Sequence, residues 1–137
     1  MDERTQISNL KRNHLTWRDD NFRYKKGFFP VFAGFKEYMK ELSPGAISLF
    51  LYFGMHSNNL TGECTHSLAR ISDFFNKSVR TISIWIKELE KAGLIIRIQP
   101  TFNGNSHTFI LPYDPPKIDD KKSNNNTVNI SSEDVPF

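Results

Sequence analysis

The chain has 137 residues, of which 38% are hydrophobic and 24% charged, enough apolar side chain for one hydrophobic core of ordinary size. A single cysteine, Cys64, excludes an internal disulfide, so a reducing, cytoplasmic setting is the expectation. Because no apolar run is long enough to span a bilayer or to act as an export signal, we expect no membrane partner.

The basic residues cluster in two parts of a chain whose net charge is only +3. Residues 4–26 carry seven basic side chains against two acidic ones, and residues 67–99 carry six against three, whereas residues 114–137 are acidic overall. Two basic segments suit a polyanionic partner. For the first segment taken alone, an ordinary solvated surface is an equally good interpretation.

The first 27 residues are interpreted as a basic N-terminal arm. Their apolar residues (Ile7, Leu10, Leu15 and Trp17) are too scattered to define a helical period over more than one turn. We expect the arm to dock locally through Trp17 or to become ordered on a partner. Aromatic and basic residues then interleave over residues 22–29, which favours a short extended segment that anchors to the core or stacks on bases.

Two helices are predicted next. Residues 35–42 place four apolar side chains at helical spacing and form a short amphipathic helix. Ser43 followed by Pro44 is a strong helix-start signal, and residues 46–55 are apolar nearly all round, which indicates the central core helix. Gly54 inside it indicates a close helix contact or an approaching helix end. Residues 63–65 are predicted to form a short strand.

Residues 67–93 are predicted to form a helix, a turn and a second helix. Ser67 and Ser78 are the expected N-caps, and Asn76 tolerates the left-handed backbone that a tight connection needs. The apolar stripe of the first helix is Leu68, Ile71, Phe74 and Phe75. In the second helix we expect a buried face made of Val79, Ile82, Trp85, Ile86 and Leu89, and an opposite face made of Arg80, Ile84, Lys87 and Lys91.

Two β-favouring runs follow, residues 94–99 and 107–111, with Gly93 as the left-handed end of the preceding helix. Asn103 and Gly104 supply the reversal between them, so this is a hairpin. From residue 114 onward the composition lacks a core-forming period, and we expect a disordered tail over residues 114–137.

The segment SLARISDFFNKSVRTISIWIKELEKAGLI resembles the core of winged helix-turn-helix DNA-binding domains, over about residues 28–113. It is similar to the domains of plasmid replication initiators and of small regulators of phage and other mobile elements. The resemblance implies an α+β fold, with a three-helix core, a β-hairpin wing and an N-terminal extension. Lys77 departs from the family pattern, which usually has a small apolar residue after the turn.

The resemblance implies binding of double-stranded DNA, with the helix over residues 78–92 in the major groove. Arg80 is the candidate for guanine recognition and Ile84 for a thymine methyl group, with Lys77 and Lys87 on phosphates. The other candidate contacts are Ser67, Ser78, Thr81, Ser83, Arg97, Asn103 and Asn105. A homodimer on a palindromic or repeated site is the usual arrangement, because one recognition helix reads only a few base pairs.

Other functions find weaker support. His56, Glu63, Cys64 and His66 lie close in sequence but lack the paired spacing of zinc ligands, so no metal and no cofactor are expected. No catalytic constellation or nucleotide-binding loop is visible, so we expect neither an enzyme nor a small-molecule substrate. The rival interpretation is a protein-interaction module of the same fold, which docks another protein through the wing, Trp85 and Ile84.

Overall fold

The computed structural model describes residues 2–24, 27–100 and 104–113. Within that part of the chain the elements are α1 Glu3–Tyr24, α2 Phe35–Met39, α3 Pro44–His56, β1 Glu63–Cys64, α4 Leu68–Phe75, α5 Val79–Lys91, β2 Ile95–Ile98 and β3 His107–Ile110. The chain divides into two units: α1 belongs to the unit that includes residues 1–28, and all the other elements belong to Phe29–Pro116.

The second unit is built on α3, α4 and α5 around one core. α3 contributes the largest share, with Leu49, Phe50 and Phe53 fully buried. Ile71 of α4, three residues of α5 (Ile82, Ile86 and Leu89) and Phe35 of α2 also belong to the helical part of the core. The apolar spacing in the sequence predicted these burial patterns, because residues three and four apart share one face of a helix.

The start of α3 is fixed by hydrogen bonds from two parts of the chain. The Ser43 hydroxyl accepts from the backbone N–H of Ala46, which confirms the predicted cap. The same hydroxyl donates to Glu88 on α5 at 2.7 Å, and the Ser43 backbone N–H donates to the other carboxylate oxygen at 2.9 Å. Glu88 therefore ties α5 to the N-terminus of α3, a long-range contact that no local pattern indicates.

At two glycines of α3, an aromatic ring occupies the space that a side chain would need. A Cβ built on Gly45 would lie 2.0 Å from the Trp85 ring, and one built on Gly54 would lie 2.1 Å from the ring of Phe29. The close contact expected at Gly54 is thus made by a side chain of the preceding segment and not by another helix. Phe29 also packs against Phe50, so the segment before α2 is anchored to the core.

The three strands form an antiparallel sheet in the order β1-β3-β2. Ile95 pairs with Ile110 and Arg97 with Thr108, and Cys64 pairs with Thr108 from the other side. The predicted hairpin is therefore present. Its expected reversal at Asn103 and Gly104 involves residues 101–103, which lie outside the described residues, as does the predicted tail over residues 114–137.

Three expectations about local structure were wrong. The irregular arm and the extended segment after it are replaced, over Glu3–Tyr24, by the 22-residue helix α1, whose mixed apolar and polar faces concealed its period. Val79 and Phe74 are exposed, because each lies at the edge of its apolar stripe. The helix expected over residues 35–42 ends at Met39, although Leu42 is still buried.

The second unit has the predicted α+β winged-helix architecture. Three helices pack around one core, and the antiparallel sheet of β1, β3 and β2 lies beside them. β2 and β3 are the wing that follows α5, and β1 is the short strand between α3 and α4.

Replacing Gly45 with alanine is expected to destabilise the protein by about 1–2 kcal/mol. The new methyl group would enter the space of the Trp85 ring, and such overpacking costs about 1–3 kcal/mol, against a gain in helix propensity of at most about 1 kcal/mol. Urea denaturation followed by circular dichroism measures the change. Ser48→Ala, on the exposed side of α3, is the control, and a Gly45→Ala protein as stable as this control would contradict the packing.

Candidate nucleic-acid interface

The turn between α4 and α5 is held by hydrogen bonds on both sides. Asn76 adopts the predicted left-handed conformation, with φ of 53°. The Lys77 backbone N–H donates to the Ser72 carbonyl at 3.1 Å, and the Ser72 hydroxyl donates back to the Lys77 carbonyl. Because both backbone groups of Lys77 are fixed, its exposed side chain leaves the turn from a defined position. No local pattern indicates this role for Ser72.

Ser67 and Ser78 are the caps of α4 and α5. The Ser67 hydroxyl accepts from the backbone N–H of Arg70 at 3.2 Å, and the Ser78 hydroxyl accepts from that of Thr81 at 3.1 Å. The Ser78 and Thr81 hydroxyls are also 3.0 Å apart and hydrogen-bonded. Both helices therefore begin at the predicted residues, and each presents its remaining N-terminal N–H groups at an exposed end.

The outer face of α5 is exposed and cationic. Arg80, Ile84 and Lys87 follow one another at helical spacing and are all exposed, Ile84 at 52%. Among the described residues, none of the ion pairs involves Arg80, Lys87 or Lys77. Thr81 and Ser83 lie at the sides of this face and are half-buried. The inner face is packed on the core, so α5 presents Arg80 and Lys87 outward, without an ion pair to any carboxylate in the described part of the chain.

The wing residues are arranged differently from the expectation. Arg97 is half-buried, and its Nη1 donates to the Thr108 hydroxyl at 2.8 Å, while burial lowers the pKa of its guanidinium. Asn105 is exposed, and Asn103 lies outside the described residues. Gln99 donates from Nε2 to the carbonyl of Gly104 at 3.0 Å, which links the two sides of the hairpin.

The other face of β2 is apolar and exposed. Side chains alternate across a strand, so with Ile95 and Arg97 directed inward, Ile96 and Ile98 are directed to solvent. Both are more than 40% exposed. Ile96 pairs with Phe109 on β3, so three apolar residues share this outer surface of the wing.

The His, Glu and Cys residues that lie close in sequence near β1 are not arranged as metal ligands. The Tyr52 hydroxyl is hydrogen-bonded to Nδ1 of His66, and the Glu63 carboxylate to His107. Burial raises the pKa of the Cys64 thiol and lowers that of His66. Within the described part of the chain, no group of three or more His, Cys, Asp or Glu side chains is placed to hold a metal ion.

A cavity of about 670 Å³ lies away from the cationic face. Its lining includes Phe29, Phe32, Leu60 and Tyr113, and none of the described residues that line it is charged or belongs to α5. It is therefore separate from the candidate interface. Among the described residues no helix is long and apolar enough to cross a membrane.

Comparison with known proteins supports the structural assignment. Residues 40–95 match a family model described as a helix-turn-helix domain. The match begins just before α3, contains β1, α4 and α5, and reaches the first residue of β2. No curated protein and no solved structure matches the chain. The family match thus covers the turn, both caps and the exposed face of α5.

Ser78→Ala is expected to lower the free energy of unfolding by about 0.5–2 kcal/mol, since it removes the acceptor for the Thr81 N–H at the start of α5. Ser78→Asp should retain most of the stability, because aspartate caps a helix about as well as serine does. Denaturant titration of the two variants measures both values. An equal loss in both would show that the cap does not set the stability of α5.

Proposed function

Because residues 40–95 form a helix-turn-helix domain, a type of domain that binds DNA, we propose that the protein binds specific sequences of double-stranded DNA through α5. The observation that carries this proposal is the exposed cationic outer face of α5, opposite a face that is packed on α3. A helix about 10–12 Å across fits the major groove of B-DNA, which is about 12 Å wide.

The chemistry of the outer face favours a division of roles. Arg80, in the first turn of α5, can donate two parallel hydrogen bonds to guanine, and Ile84 can contact a thymine methyl group. Lys77 and Lys87 carry unpaired charges on either side and suit phosphates. The further candidate contacts are Ser67, Ser78, Thr81, Ser83, Arg97, Asn103 and Asn105. Arg97 has one donor engaged by Thr108, so it is the weakest of the charged candidates.

The biological role proposed is transcriptional control or replication initiation on a mobile element, in the cytoplasm. We propose that the protein acts as a homodimer on a palindromic or repeated site. A single α5 reads only a few base pairs, and pairing two copies makes the discrimination of the two half-sites roughly additive in free energy. The buried free thiol of Cys64 is compatible with a reducing compartment.

A second candidate function is docking of another protein on the wing. The observation in its favour is the exposed apolar surface of Ile96 and Ile98, since exposed apolar patches often mark interaction sites. Trp85 contributes less to this candidate than the sequence indicated, because its ring is half-buried against Gly45 and Phe75.

The double variant Arg80→Ala, Lys87→Ala is expected to lose at least about tenfold in affinity for a duplex selected from a random library. Its stability should stay within about 0.5 kcal/mol of the parent, because both side chains are exposed. Fluorescence anisotropy measures the affinity. Lys36→Ala, Lys40→Ala removes the same charge from α2 and its C-cap, away from α5, and is the matched control.

The salt dependence of DNA affinity separates recognition of a base sequence from electrostatic attraction to phosphates. Each phosphate contact contributes about −0.9 to the slope of log K against log salt concentration, so Lys87→Ala should make the slope shallower by about that amount per copy. Arg80→Ala should instead reduce the preference for the selected sequence over a scrambled one. Equal affinities for the parent, the double variant and its control would refute groove reading by α5 and favour the docking function.

A further inference from the structure

α1 is a long helix that carries several large, exposed apolar side chains. None of its residues, all of which the structure describes, is buried. Ile7, Leu10 and Trp17 are each more than half exposed, and Tyr24 is 76% exposed. A helix of this length without tertiary packing is only marginally stable in water, so an exposed row of large apolar side chains indicates that another surface covers it.

Four of the six large apolar residues of α1 lie on a seven-residue repeat, and Leu15 and Phe22 lie off it. Ile7, Leu10, His14, Trp17, Asn21 and Tyr24 are separated alternately by three and four residues, and we call these six the α1 stripe. This is the spacing of the first and fourth positions of the coiled-coil heptad, which keeps a seam facing a partner helix. Asn21 falls on a first position, where a buried asparagine fixes the register of two helices.

We propose that α1 pairs with α1 of a second copy of this chain as a parallel two-stranded coiled coil. The proposal deepens the proposed function: it rests on the homodimer assigned there and names the surface that forms it. The α1 stripe forms the buried seam, and the two helices run in the same direction around a two-fold axis.

The charges beside the α1 stripe select the parallel orientation. One flank carries Arg4, Lys11 and Arg18, seven residues apart, and the other carries Gln6, Asn13 and Asp20. In a parallel pair the basic flank of one helix faces the uncharged and acidic flank of its partner. In an antiparallel pair the two basic flanks face each other, so the repulsion of like charges disfavours that arrangement.

The area available is sufficient for a specific dimer. An aromatic side chain buries roughly 150–250 Å², so Trp17 and Tyr24 from two copies remove about 600–1,000 Å² from water. Because Trp17 and Tyr24 are 61% and 76% exposed, about 400–700 Å² of this area remains to be buried, and Ile7 and Leu10 bring the total close to the roughly 1,000 Å² that a specific interface needs. His14 and Asn21 weaken the seam because they are polar, so a reversible dimer is expected.

Leu10→Asp should weaken self-association of the full chain at least about tenfold, because it places a carboxylate in the seam of both copies. Leu15→Asp is the matched control: Leu15 is 64% exposed against 60% for Leu10, on the same helix, but lies about 140° around the axis from it. It should change the dimer constant by less than about twofold. Sedimentation analysis over a concentration series, without DNA, measures both constants.

Cysteine cross-linking tests whether the two α1 helices run parallel. Asn21→Cys should form a disulfide with its counterpart in a second copy under mild oxidation, since identical seam positions face each other in a parallel pair. Thr16→Cys, on the opposite side of α1, should not. The parent protein, whose Cys64 is buried, is the blank. A dimer in which Asn21→Cys fails to cross-link overturns the parallel arrangement.

Two results would overturn the pairing itself: a parent protein that remains monomeric, or equal effects of the Leu10 and Leu15 substitutions. Neither depends on α5, whose role is measured separately by the duplex affinity of the Arg80 and Lys87 variants. If those variants lose their preference for the selected duplex but still dimerise, the pairing of α1 is supported. A monomer that still reads DNA through α5 would refute only the pairing.

Discussion

The packing of the inner face of α5 against α3 is the constraint on which the rest of the domain depends. Ile82 and Leu89 are fully buried, the Trp85 ring fills the space left by Gly45, and Glu88 binds the N-terminus of α3. A shift of α5 by one residue would rotate it by about 100° and lose these contacts together. The orientation of Arg80 and Lys87 toward solvent is therefore a consequence of core packing.

Local signals in the sequence were sufficient for the N-terminal boundaries of α3, α4 and α5. Ser43, Ser67 and Ser78 cap the helices at the expected residues, because an N-cap hydrogen bond reaches only two or three residues along the chain. The left-handed residues Asn76 and Gly93 are local in the same sense. The burial of Ile82, Ile86 and Leu89 followed from periodicity, since a single packed face is enough to set it.

Contacts between distant residues were beyond this reasoning. No local pattern marks Glu88 as a partner of Ser43, and only the fold brings its carboxylate to that residue, 45 positions earlier. The wing shows the same limit: the register of Arg97 with Thr108 directs its side chain toward that hydroxyl and leaves Ile96 and Ile98 on the outer face. When both faces of a strand carry apolar residues, the sequence does not show which face is turned to the core.

The sequence pattern did not indicate α1, for a related reason. The α1 stripe contains the polar residues His14 and Asn21 as well as Ile7 and Leu10. The apolar residues alone therefore show no period, whereas all the residues of the stripe together follow the heptad spacing. α1 ends at Tyr24 and the second unit begins at Phe29, so in the proposed dimer only a few residues of each chain would separate the paired helices from the DNA-binding units. Once one α5 had bound its half-site, the second would bind at an effective concentration in the millimolar range. Under the proposal, weak contacts from each exposed face combine into a stable complex, and the affinity depends on a helix that need not touch DNA.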